Sequence, residues 1–145
     1  MPSTAEVNHV ELSSLHDAEL VGLTYESGKA IRLAFVTDGG VHISIVLRGV
    51  HRFVANNLLD GNIVLDVLST KFGNLALESI DDIVKNAFPE EFVTEPPERA
   101  LASNRQWETW LGQIKTGDIH LFVIEPSYGG AVVAVCSDVE MIQTS

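Results

Sequence analysis

Ala30-Ile31-Arg32-Leu33-Ala34-Phe35-Val36-Thr37-Asp38-Gly39-Gly40-Val41-His42-Ile43-Ser44-Ile45-Val46-Leu47 is the stretch whose reading decides the fold. Read in twos, Ile31, Leu33 and Phe35 fall on one side, the chain turns at Thr37-Asp38-Gly39-Gly40, and Val41, Ile43, Ile45 and Leu47 return on the matching side. Alternation with a period of two, interrupted by a Gly-Gly turn, is the pattern of a β-hairpin with one apolar face. The other face carries Arg32, Ala34, His42, Ser44, Val46 and Arg48. A slip of one residue would expose the whole apolar set, so the register is strongly specified and further strands can build on it.

Upstream, Glu19 to Tyr25 reads as a strand with Val21, Leu23 and Tyr25 on one side. Glu26-Ser27-Gly28-Lys29 leads it directly into the hairpin, giving a three-stranded meander. Gly22 within that strand marks a bulge or a close neighbour. Val10 and Leu12 alternate too briefly to define an element, and Leu15-His16-Asp17 reads as a turn. Downstream, Val50 and Val54 are even-numbered where the earlier apolar positions are odd, and a bulge at Gly49 accounts for the change of parity up to Val54. Ile63, Leu65 and Val67 give a fourth strand after the Asp60-Gly61-Asn62 loop.

Two helices follow. Ser79-Ile80-Asp81-Asp82 resembles a capped start with acids in the first turn. Ile80, Ile83, Val84, Ala87 and Phe88 make one apolar face, and Pro89 ends it. Pro89 to Arg99 is acidic and proline-rich and is expected to be a stiff internal connection. Ser103-Asn104-Arg105-Gln106 then reads as a second cap, before Trp107, Trp110, Leu111 and Ile114, with a stop at Thr116-Gly117. Ile119 to Ile124 and Ala131 to Cys136 are nearly continuous apolar runs, as strands covered on both faces are, and a last strand is expected over Val139 to Ile142. The expected fold is α+β: a curved, mostly antiparallel sheet of six or seven strands with two helices packed on it, in one domain over 1–145.

The chain has 145 residues, enough to bury a sizeable core. Twenty acidic against nine basic residues leave a formal charge of −11, which repels nucleic-acid phosphates and anionic lipid; it serves either solubility alone or steering toward a basic protein surface. The one cysteine, Cys136, cannot form an internal disulfide, and no run of apolar residues is long enough to cross a membrane, so a cytoplasmic setting is expected.

The five histidines are not spaced as ligands, the single cysteine excludes a thiolate zinc site, and no cofactor or metal is expected. No catalytic residue is assigned. Cys136, at the end of an apolar strand, reads as core, and Ser127 in Pro-Ser-Tyr-Gly-Gly reads as a turn serine. Trp107 and Trp110, with Tyr128 and the acidic rim Glu95 and Glu98, make the candidate interaction surface, one indole keeping an edge exposed. The alternative is a histidine-centred enzyme, a small hydrolase or ligand-binding protein using His16, His42 or His51 with Asp17 or Asp66 folded beside them. A third reading is a structural subunit that forms a homodimer through a sheet edge.

Leu15-His16-Asp17-Ala18-Glu19-Leu20, Leu47-Arg48-Gly49-Val50, Gly61-Asn62-Ile63-Val64, Pro126-Ser127-Tyr128-Gly129-Gly130 and Val135-Cys136 together resemble a loose group of small, uncharacterised bacterial domains, some of them immunity proteins of toxin systems. The resemblance implies an α+β fold and a protein-binding role and carries over no catalytic residue, and the preferred reading is a non-enzymatic protein-binding domain.

Overall fold

The structure is a computed structural model, and residues 15–92 and 97–144 are described. Val10, Leu12 and Glu95 lie outside them. Six strands are present: β1 (Glu19–Glu26), β2 (Ala30–Val36), β3 (His42–Asn56), β4 (Ile63–Ser69), β5 (His120–Tyr128) and β6 (Ala131–Thr144). All neighbours pair antiparallel, in the order β1-β2-β3-β6-β5-β4, and β4 meets β1 to close a barrel. Helices α1 (Ile80–Ala87) and α2 (Pro97–Thr116) pack outside it. This is the expected α+β architecture, with the curved sheet closed into a ring.

The founding hairpin has the expected register, with Ile31 opposite Leu47, Leu33 opposite Ile45 and Phe35 opposite Ile43. All six side chains are buried in the barrel interior. Since each is worth about 1.5–3 kcal/mol on burial, a one-residue slip would cost on the order of 10 kcal/mol, which explains why this register holds.

Leu47 and Val50 both pack on the interior across Gly49, which has φ +60°. The one register shift in the β3–β6 ladder falls just beyond it, between Val50 and Arg52, and past it Phe53 and Ala55 face the barrel while Val54 packs against the helix layer. The bulge expected at Gly49 is thus corrected to that shift, and Val54 is apolar because α1 and α2 cover its face. In β1 the bulge lies between Leu20 and Gly22, and it turns Val21 outward to 54% exposure instead of aligning it with Leu23.

Three boundaries also differ. The last two expected strands are one, β6, running through Ser137. Helix α2 begins at Pro97, inside the expected connection, because proline suits the first helical turn, where its missing N–H has no partner to lose. A 3-10 turn occupies Pro89–Phe92. Ser103 is therefore in the helix interior and caps nothing. Likewise Ser79 makes no side-chain cap bond, because a 3-10 turn over Leu77–Ser79 feeds straight into α1.

The helices bury a second apolar layer. Ile80, Val84, Phe88, Trp107, Trp110 and Ile114 lie on Leu121, Val123 and Val135, the outward residues of β5 and β6. Both faces of these strands are covered, as their continuous apolar runs require.

Candidate functional site

Barrel closure is uneven. β1 meets β4 at Glu19 and Ile63, supported by backbone bonds from Leu20 N–H to Asn62 O, Asp17 N–H to Val64 O and Val64 N–H to Ala18 O. Among the described residues, β1 has no partner strand beyond Leu20 on this side. From Val21 to Glu26 it presents a free edge, a row of peptide groups able to pair with another chain. The 57–61 loop stands opposite, and a groove of about 370 Å³ separates the two, lined by Val21, Gly22, Leu23, Leu58 and Leu59 with Glu19 and Asp60 at its rim.

Asn62 holds that loop in place. Its side-chain oxygen accepts from Leu59 N–H (2.9 Å) and Gly130 N–H (2.9 Å), and its amide donates to Leu59 O (2.7 Å). The loop is thereby tied to the β5–β6 turn, where a side chain at Gly130 would run into Leu58. Leu58 and Leu59 are left exposed on a fixed frame. Tyr128, 58% exposed, lies opposite Ile63, which lies opposite Glu19, so one outward row crosses β5, β4 and β1 beside the groove.

Charge is segregated around this row. No lysine or arginine occurs in β1, β4, β5 or β6, or in the 57–61 loop. The same elements carry Glu19, Glu26, Asp60, Asp66 and Glu125, and Asp66 lies directly opposite Glu125 across the β4–β5 ladder. Like charges facing each other across strands oppose folding, and a basic partner would relieve them. Strand cations are confined to β2 and β3: Arg32 pairs with Glu26, Arg48 with Glu140 and Arg52 with Glu91.

The tryptophan surface expected from the sequence is corrected. Trp107 is 1% and Trp110 7% exposed, and the two rings meet edge to face at 5.0 Å in the outer core. Trp110 is closed off by residues of β3: the Arg52 guanidinium lies 4.7 Å from its ring and His51 stacks on it at 5.5 Å. Arg52 is held there by Glu91 at 2.7 Å. Glu98 is exposed in the first turn of α2, and without an exposed indole beside it the proposed rim has no centre. Of the described members of that set, Tyr128 lies in the row that runs beside the groove.

Among the described residues the candidate histidines are not brought together. His16 pairs with Asp17 at 3.2 Å on the surface. His42 opens β3 opposite Val36, whereas His51 lies nine residues further along the strand, roughly 30 Å at the usual rise. Asp66 faces Glu125 instead of a histidine. No group of three or more His, Cys, Asp or Glu among the described residues could hold a metal ion. Burial, with Lys29 and Arg52 nearby, holds His51 below the ordinary histidine value, so its ring is neutral at pH 7.

His120 makes the tightest local arrangement. Thr70 Oγ1 accepts Leu121 N–H and shares a hydrogen bond of 3.1 Å with His120 Nδ1. Hydroxyl and ring thus latch the end of β4 to the start of β5. Cys136 is buried, and burial together with Asp138 pushes its thiol up to about 12, the state of a core residue and not of a nucleophile.

No family model matches the chain, and no curated protein or solved structure matches it. Among the described residues, no helix is long and apolar enough to cross a membrane.

Proposed function

We propose that this protein is a non-enzymatic binding module that captures an extended, basic segment of a partner protein along the free edge of β1. The observation that carries this reading is the coincidence of three features: a strand edge unpaired among the described residues, an apolar groove beside it, and the absence of lysine and arginine from β1, β4, β5, β6 and the 57–61 loop. Strand addition gives affinity through main-chain hydrogen bonds, while alternate side chains of the incoming strand enter adjacent pockets. Val21, Leu58 and Leu59 supply the apolar contacts, and Glu19 and Asp60 favour lysine or arginine at the alternate positions.

A second copy of this chain fits the edge less well than a basic segment does. Self-pairing would bring together two chains of formal charge −11, and the free edge of each, flanked by Glu19 and ending at Glu26, has no lysine or arginine to offset the repulsion. The bulge at Val21 and these glutamates blunt indiscriminate pairing. An immunity-like role, with the segment belonging to a basic toxin, is the form of this proposal that the resemblance favours, and a cytoplasmic setting accords with the free thiol.

The test is fluorescence anisotropy of the full chain with a labelled peptide of alternating lysine and valine. Binding should weaken with salt. Leu59→Lys, which adds a cation at the groove, should weaken it by about tenfold or more. Equal binding of an alternating glutamate and valine peptide, or indifference to Leu59→Lys, would overturn the proposal.

A further inference from the structure

A second cavity, distinct from the β1 groove, opens at the barrel mouth where β2 has ended and β3 runs on. The last β2–β3 pair is Ile31 with Leu47, after which Lys29 O accepts Val50 N–H and β3 continues to Asn56 without a neighbour on that side among the described residues. The space there is about 480 Å³, within the usual range for small-ligand sites, and barrel mouths are a common place for them. Its floor is Ile31, Val50 and Phe53, continuous with the barrel core, and the Tyr25 ring, 73% exposed, stands at its side.

In a chain of net charge −11 no carboxylate among the described residues lines this cavity, while Lys29 and Arg52 both border it. The arginine is already committed to Glu91 and Trp110, whereas the Lys29 ammonium makes no ion pair or hydrogen bond among the described residues. Lys29 also stands at φ +60°, a left-handed conformation that strains a non-glycine residue. A lysine therefore occupies a turn position that glycine would fill without strain, at the edge of an apolar cavity. The neutral ring of His51 adds a second hydrogen-bonding group at the rim.

We infer that the barrel mouth binds a small organic monoanion, an apolar body carrying one carboxylate, with the body on Val50 and Phe53 and the carboxylate on Lys29. One cation left uncommitted among the described residues matches one negative charge, and the apolar floor excludes a bare inorganic ion as the better ligand.

The experiment is an amide NMR titration of the full chain with 1-naphthoate, and with 1-naphthamide as the neutral isostere. Naphthoate should shift the amides of Lys29, Val50 and Phe53. The amide should bind about tenfold or more weakly, and Lys29→Met should reduce naphthoate binding to the level of the amide. Lys29→Gly, which removes the charge and relieves the strained turn, should do the same, so a folding defect in the methionine variant would not mask the answer. Equal binding of naphthoate and naphthamide, shifts centred on the β1 groove, or no shifts at millimolar naphthoate would each overturn the inference. The Leu59→Lys variant should bind naphthoate normally, which separates this site from the peptide groove.

Discussion

Gly49 is the residue on which the shape of β3 turns. It combines φ +60° with a close approach to β6, where a Cβ would lie 2.5 Å from Ser137 Oγ and 2.8 Å from Ser137 Cβ. Gly49→Ala should therefore cost about 1–3 kcal/mol from backbone strain alone, with a further steric penalty. It would be read as a lower denaturation midpoint at unchanged slope. Adding Ser137→Gly should return the steric part but not the strain, a positive coupling in a double-mutant cycle. Titration makes a second residue-scale prediction. Burial holds His51 and His120 below the ordinary histidine value, helped by Lys29 and Arg52 for the first and Lys71 for the second. The unfolded chain then takes up protons first, so stability is full above about pH 6.5 and falls as pH drops through that value. At Asp138 burial acts upward, but hydrogen bonds from Lys71 and Val139 N–H outweigh it and lower the carboxyl, so further stability is lost as pH falls below about 4. Cys136 acts at the other end. With its folded value near 12 against 9.0 for the free thiol, the unfolded chain ionises first and stability falls as pH rises above 9. Denaturation midpoints across pH should show both limbs, and Cys136→Val should flatten the alkaline one.

At the scale of elements, the start of α2 separates two readings of the same residues. A serine that caps a helix loses about 1 kcal/mol on replacement by alanine, whereas one in the interior is neutral or gains up to about 0.5 kcal/mol. Because α2 begins at Pro97, Ser103→Ala should leave the unfolding midpoint unchanged or slightly raised, and a clear drop would return the helix start to Ser103. The hairpin and meander were legible because a period of two with one polar face has few other solutions. The Ser103 signature misled because Asn and Gln also suit exposed positions inside a helix that already has its start. Val21 and Val54 were misplaced for a related reason: parity counts apolar residues but cannot tell the barrel interior from an outer face that helices cover. Trp110 was beyond reach for another, since its burial depends on Arg52 and His51, distant in sequence. One signal of the groove was present in the sequence, the lack of lysine and arginine from β1, β4, β5 and β6, and it gains meaning only when β1 and β4 are known to meet.

For the whole molecule, closure and openness are two sides of one arrangement. Five of the six strand junctions are full ladders, while the sixth is a single pair with three supporting backbone bonds. The barrel is thus tight around its core and slack at an acidic seam, and regions with few cross-strand bonds open at low free-energy cost. Hydrogen–deuterium exchange of the full chain, alone and with the alternating lysine and valine peptide, tests this most directly. In the free protein the amides of Val21–Glu26 that point away from β2 should exchange faster than those of Ile31–Phe35, and the peptide should slow them selectively. Slow exchange along that edge without peptide, or protection appearing elsewhere while β1 is unchanged, would contradict the account.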